Sequence, residues 1–373
     1  MTRKLLKEKG VELALFANPF SIKWLTGFAP PVQVGPDPFA GGPPLIWYEG
    51  GSFTLFAVDH LAEAAASFAR QQNCRVVGYP GNTVDQPLAG AQRLAAALRQ
   101  TVSAVGVQAE KAGYEATDVT ALVFETMHAG MPGASDFLPI DGWLEPLRMV
   151  KTREELAKLR ENFGLADLGQ AVAREAVMAG EREIDVWTAV QRAVERAAGC
   201  RVPMGNDCLV SHRQANVVGW PRDYTIWSHS SLIVDLSTVL HGYWSDSCGT
   251  YYAGDPTPQQ VALHRTVLEA LEYGISLVRP GAIAKEIDRQ MRGFIDDAGY
   301  PVYPHHTGHG VGVANHEAPR IVPYNEQVLQ EGMVIMLEPG IYIPGEMGVR
   351  LEDALLVTPD GAEVLTRHNK GLP

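Results

Sequence analysis

The chain has 373 residues, enough for two domains each with a core, and its 46% hydrophobic and 20% charged content excludes wholesale disorder. A net charge of −12, from 43 acidic against 31 basic residues, argues against a nucleic-acid partner, whose phosphates need a basic face. The start, Met1-Thr2-Arg3-Lys4, is basic but never develops a signal-peptide apolar core, and no run of about 18 apolar residues offers a membrane span. Cys74, Cys200, Cys208 and Cys248 fit no CxxC spacing, so reduced thiols and a cytoplasmic location are expected.

Residues 1–147 read as a small α/β domain. A short helix precedes a buried strand, Val11 to Phe16. Leu45 to Tyr48 and Phe53 to Val58 form a hairpin turned at Glu49-Gly50-Gly51. Leu61 to Gln71 and Gly90 to Gln100 carry helical apolar spacing, and Arg75 to Tyr79 reads as another strand. The Pro/Gly-rich stretch from Pro30 to Pro44 reads as a long loop. No residue cluster in this half points to chemistry.

A boundary falls at Leu147-Arg148, and residues 148–373 read as a second domain. Thr152-Arg153-Glu154-Glu155 is a capping box, and the helix it starts is expected to stop at Gly180. Further helices span about Ile184 to Ala198, from Thr257-Pro258 onward, and about Ala284 to Ala298. Strands are expected near Leu209, Leu232 to Leu236, Met333 to Leu337 and Val349 to Val357.

Chemistry gathers in this second half. The run from Pro304 to Glu317 holds four of the eleven histidines among three glycines, and glycine lets the backbone come close to a ligand. Asp235 ends one apolar strand and Asp246 lies eleven positions later, past His241-Gly242, so a returning strand brings both to one end of a sheet. Glu338 follows the apolar run Met333 to Leu337, and Glu352 stands between Leu351 and Ala354-Leu355-Leu356-Val357. Like charges crowded beside His309 cannot all stay ionised alone. Two divalent cations would cancel four carboxylates. One nitrogen among oxygens leans towards Mn²⁺, with Co²⁺, Fe²⁺ or Zn²⁺ as alternatives. Two such ions about 3.5–4 Å apart would hold a hydroxide and polarise a substrate oxygen.

These positions resemble the pita-bread metallopeptidases, the group of methionine aminopeptidase, aminopeptidase P and prolidase. The flanking text agrees: His305-x-x-Gly308-His309-Gly310-Val311-Gly312, His316-Glu317-x-Pro319, Glu338-Pro339-Gly340 and Arg350-Leu351-Glu352-Asp353. Asn18 to Phe28 resembles the creatinase/prolidase-type N-terminal domain. The resemblance implies a homodimeric hydrolase of Xaa-Pro dipeptides, with aminopeptidase P or a creatinase-type amide hydrolase as alternatives. It implies Asp235, Asp246, His309, Glu338 and Glu352 as ligands of two divalent metals, and Glu338 as the group that moves the proton. It further implies His316 at the scissile carbonyl and His305 on the leaving-group side. Arg320 and Arg350 become candidates for a substrate carboxylate, and Trp220 for the place where proline-directed members carry a Pro-His pair. His306 is left to the fold. The chain departs from the family at Asp246-Ser247-Cys248-Gly249, where Asp-x-Thr-Arg is usual, and Cys248 is expected to be a packed residue.

Overall fold

The computed structural model describes residues 1–372 apart from 30–41, 71–72, 83, 105–108 and 206. Most of the expected Pro30–Pro44 loop therefore lies outside the described residues. The chain divides into two compact units, Met1–Leu147 and Arg148–Pro373.

The first unit is built on a six-stranded mixed sheet. Its strands are β1 (Leu13–Phe16), β2 (Leu45–Glu49), β3 (Ser52–Val58), β4 (Cys74–Tyr79), β5 (Lys111–Tyr114) and β6 (Asp136–Pro139), in the spatial order β4-β3-β2-β1-β5-β6. Alternation along β1 sends Ala14 and Phe16 into one apolar cluster and Leu13 and Leu15 into another, so the strand is covered on both faces. The hairpin β2–β3 turns at Gly50 and Gly51, both at positive φ, as the sequence pattern requires. A helix, Pro19–Thr26, lies where no helix is expected from apolar spacing. Asn18 caps it by accepting from the Phe20 and Ser21 amides, with Pro19 at its first turn. Strands β5 and β6 have only four residues each, too few for a periodic signal.

In the second unit, helices Arg153–Ala176 and Pro258–Leu277 begin at reciprocal capping boxes, Thr152 with Glu155 and Thr257 with Gln260. The first ends at Ala176, four residues before the expected stop. Gly180 instead occupies a positive-φ turn beyond it. Helices Glu183–Ala198 and Ala284–Asp297 follow the expected spans closely.

The strands are β7 (Met204–Gly205), β8 (Cys208–Val210), β9 (Ser231–Asp235), β10 (Ser237–Leu240), β11 (Tyr243–Trp244), β12 (Cys248–Tyr252), β13 (Gly308–Gly310), β14 (Glu317–Ile321), β15 (Val334–Leu337), β16 (Gly340–Ile343), β17 (Met347–Arg350), β18 (Asp353–Thr358) and β19 (Gly361–Val364). The sheets β12-β9-β8 and β14-β13-β15-β18-β19 each pack on a helix pair. Leu232, Val234 and Val210 meet Val186, Val190 and Val194 in one core, while Ile335, Leu337 and Leu355 meet Leu263, Val267 and Met291 in the other. The expected single strand from Val349 to Val357 is two strands. The chain breaks at Leu351-Glu352, where the Glu352 amide donates instead to the Cys248 carbonyl at 3.1 Å. This break delivers Glu352 to the end of β12.

Candidate active site

Each acidic candidate sits where a buried strand ends. β9 and β12 pair antiparallel with Cys248 opposite Asp235. The hairpin β10–β11, turned at the positive-φ pair His241-Gly242, lies between Asp235 and Asp246, and Ser237 Oγ donates to Asp246 Oδ1 at 3.0 Å. Glu338 follows β15, its amide held by the Thr307 carbonyl at 2.9 Å. All five candidate ligands are buried: Asp235 at 7%, Asp246 at 3%, His309 at 1%, Glu338 at 8% and Glu352 at 1% exposure.

His309 is the hub. Its Nδ1–H donates to the Gly310 carbonyl at 2.9 Å, which leaves the Nε2 lone pair facing the carboxylates. From Nε2 it is 3.6 Å to Glu338 Oε1, 3.8 Å to Asp246 Oδ2 and 4.0 Å to Glu352 Oε1. Metal–ligand bonds of about 2.0–2.2 Å set ligand atoms roughly 3–4.4 Å apart, so this spacing suits a cation. Asp246, His309 and Glu352 each offer an atom within 4.8 Å of the others.

The electrostatics point the same way. Burial, together with the charges of Asp235 and Glu338, pushes the Asp246 carboxyl well above the usual range. Burial and the charges of Asp246 and Glu338 do the same to Glu352. Glu352 Oε2 is buried with no hydrogen-bond partner among the described residues. A carboxylate oxygen left unpartnered inside protein is costly, and a divalent cation is the group that satisfies it. The residues therefore fit the divalent metal.

Glu338 differs from its neighbours. Burial raises its carboxyl, but the hydrogen bond from His306 and the neighbouring imidazoles outweigh that and hold it at about 2. The His306 contact, Nε2 to Oε1 at 2.8 Å, corrects the assignment of His306 to the fold alone. His306 also lies edge-on to His309 and His316, at ring separations of 5.2 and 5.4 Å.

Around this centre His305 is fixed on two sides. Its Nδ1–H donates to the His306 carbonyl at 2.8 Å, and Nε2 accepts from the Tyr342 hydroxyl at 2.9 Å. Burial pulls its imidazole down to about 4, so it stays neutral. His316 is exposed, with its ring 4.0 Å from that of His309. Its neighbour Glu317 is anchored by Arg148 at 3.5 Å and Lys151 at 3.2 Å. Cys248 is buried against the Arg350 carbonyl, as a packed thiol.

Arg350 is not placed to grip a substrate. It is 2% exposed, and its Nη2 donates to Asp207 at 2.7 Å and Asp235 at 2.9 Å. Its Nη1 donates to the Val217 carbonyl and the Tyr342 hydroxyl. With both terminal nitrogens engaged inside the protein the guanidinium supports the Asp235 carboxylate, and its Nε is buried without a hydrogen-bond partner among the described residues. Arg320 is exposed, and its charge bears on His316. Trp220 is 77% exposed, and its carbonyl accepts from Arg213 at 3.2 Å. Asp207 and Tyr342 were missed in the sequence. Neither adjoins a recognisable motif, and only Tyr342, between Glu338 and Arg350, lies near one.

Crowded carboxylates around one imidazole, at the ends of buried strands, define the class as a metallohydrolase. Residues 157–359 match metallopeptidase family M24, and residues 2–150 match the creatinase/prolidase N-terminal domain. The chain belongs to this family, is a metallopeptidase and has the pita-bread fold. It is 38% identical over 239 residues to a Xaa-Pro dipeptidase of Pyrococcus furiosus, covering 64% of this chain and 68% of that one. It is 34% identical over 241 residues to a putative dipeptidase of Bacillus subtilis, covering 64% and 66%. Among solved structures, prolidase from Pyrococcus furiosus superposes with a TM-score of 0.82 at 29% identity, over 98% of this chain and 99% of that one. The Xaa-Pro dipeptidase from Bacillus anthracis gives 0.85 at 25% identity, over 99% and 97%.

Proposed function

We propose that this chain hydrolyses the Xaa-Pro bond of dipeptides. The observation that carries the reading is the ring of buried carboxylates within 4.0 Å of His309 Nε2, in a chain similar along most of its length to prolidases. Asp235, Asp246, His309, Glu338 and Glu352 would hold two divalent cations. Mn²⁺ is favoured by a set with four carboxylates and one imidazole. When bound, such cations supply Lewis acidity, polarising a substrate oxygen and making water more acidic.

The chain's own groups do the rest. Glu338, kept ionised, accepts a proton from the attacking water and passes it to the proline nitrogen as the C–N bond breaks. His316, exposed beside the cluster, donates a hydrogen bond to the scissile carbonyl as negative charge grows there. His305, neutral and braced by Tyr342, faces the leaving-group side. With Arg350 committed inside, Arg320 is the cation that meets the dipeptide carboxylate. The four cysteines, all free, support a cytoplasmic location, and the family resemblance supports a homodimer.

The test strips purified protein with EDTA and resupplies Mn²⁺ before assay on Xaa-Pro, Xaa-Pro-Yaa and proline-free dipeptides. Stripping should abolish turnover, and the Xaa-Pro dipeptides should be cut fastest by roughly tenfold or more in kcat/KM. Comparable rates on proline-free dipeptides would overturn the substrate assignment, and full activity without metal would overturn the mechanism.

A further inference from the structure

His306, His309 and His316 offer a second reading of the same hub. One ring nitrogen from each lies within 4.8 Å of the others, running from buried His309 through half-buried His306 to exposed His316. Glu338 Oε1 stands 2.8 Å from His306 Nε2, so an acceptor oxygen flanks the trio. Three imidazoles and a carboxylate form a nitrogen-rich, four-donor set, which suits a borderline-soft ion with tetrahedral preference better than Mn²⁺. Bonds of about 2.0–2.1 Å would bring the three nitrogens to roughly 3.4 Å apart. His316, on the solvent side, has room to make that adjustment.

We propose that these three histidines form a second, nitrogen-rich cation site that takes Zn²⁺ and silences the enzyme. The reason is shared ownership. Nδ1 of His309 is committed to the Gly310 carbonyl, so Nε2 has one lone pair to give. An ion held by the trio takes that lone pair from the carboxylate centre, engages Glu338, and removes His316 from the carbonyl. Hydrolysis and zinc capture are therefore mutually exclusive uses of His309. The inference rests on the assignment of His309 to the catalytic centre.

The test titrates metal-free protein with ZnCl₂ and, separately, MnCl₂ by calorimetry, for the wild type, His306→Asn and Glu352→Gln. In His306→Asn the Zn²⁺ affinity, which loses a ligand, should fall by roughly tenfold more than the Mn²⁺ affinity, which loses only the hydrogen bond from His306 to Glu338. In Glu352→Gln the pattern should invert, with Mn²⁺ lost and Zn²⁺ kept. Zn²⁺ added to the Mn²⁺-loaded wild type should inhibit, at a concentration roughly tenfold lower than in His306→Asn, each normalised to its own uninhibited rate. Parallel losses of both metals in His306→Asn would overturn the proposal, since His306 would then serve the carboxylate centre alone. Unchanged Zn²⁺ affinity in that variant would overturn it too. The two titrations need no substrate, so a wrong peptide assignment leaves them readable.

Discussion

The Arg350 guanidinium is divided between two carboxylates, Asp207 and Asp235, through a single nitrogen. Burial and the Asp235 charge push the Asp207 carboxyl up to about 6, against the pull of Arg350. How much of the Arg350 charge falls on Asp235 therefore depends on Asp207. Replacing Asp207 by Asn preserves an acceptor for the Gly219 amide but shifts that charge towards Asp235, where it competes with a cation. Asp207→Asn should weaken Mn²⁺ binding by roughly tenfold or more, read by calorimetry on metal-free protein. An affinity within about twofold of wild type would make Asp207 a strut for the 217–220 segment and nothing more. This pairing marks the limit of reading single residues. Asp235, Glu338 and Glu352 stand out because each ends or borders a run of apolar residues, where a charge needs a reason, whereas Asp246, between Ser245 and Ser247, stands out only by its spacing from Asp235. The sequence makes Arg350 a candidate for a substrate carboxylate because its partner Asp207 is 143 positions away. The sequence leaves His306 to the fold because two adjacent histidines look alike until the backbone decides which imidazole turns towards Glu338.

At the scale of elements, local chemistry was legible and long-range approach was not. The capping boxes at Thr152 and Thr257 are complete within four residues, and the structure keeps both. The short strands β5 and β6 depend on pairing with distant partners, and the break at Leu351-Glu352 depends on Cys248 across the site. Glycine spacing in the histidine run has a similar cause. A Cβ on Gly310 would strike the Ala318 carbonyl on β14, and one on Gly308 the Met336 carbonyl on β15. These are backbone atoms of paired strands, which have nowhere to go. Gly293, inside the helix Ala284–Asp297, has nothing within 4 Å of the same position. Gly310→Ala should therefore cost on the order of 2 kcal/mol or more through forced strand separation. Gly293→Ala should gain about 0.4–1 kcal/mol from a stiffer unfolded chain and better helix propensity. Urea unfolding midpoints measure both, and a shift of the same sign in the two variants would refute the account.

For the molecule as a whole, the C-terminal segment ties the periphery of the second unit to its centre. Thr366 and Lys370 both reach Asp353 at 2.5 Å, one residue from Glu352. Two buried histidines hold that segment. His264 donates from Nε2 to the Lys370 carbonyl at 2.6 Å and accepts from the Tyr252 hydroxyl. His368 faces Asp167 at 3.3 Å, with Lys370 and Asp353 also within its field. Burial pulls both imidazoles below their ordinary value, and for His368 it prevails over the opposing pull of Asp167. An imidazole depressed in the fold binds fewer protons than in the unfolded chain. Its contribution is therefore intact above about 6.5 and lost as pH falls below that value. Asp167, held below the ordinary carboxylate range by His368 and the Arg367 and His368 amides despite its burial, keeps its share until more acidic pH. Acidification from about pH 7.5 to 5.5 should accordingly loosen residues 366–372 before the core opens. Hydrogen exchange corrected for intrinsic rates would show it, as protection lost in 366–372 while β15 stays protected. Equal protection at both pH values would mean that neither histidine holds the tail through its neutral form, and the path from the C-terminal segment through Asp353 to Glu352 would then be insensitive to pH.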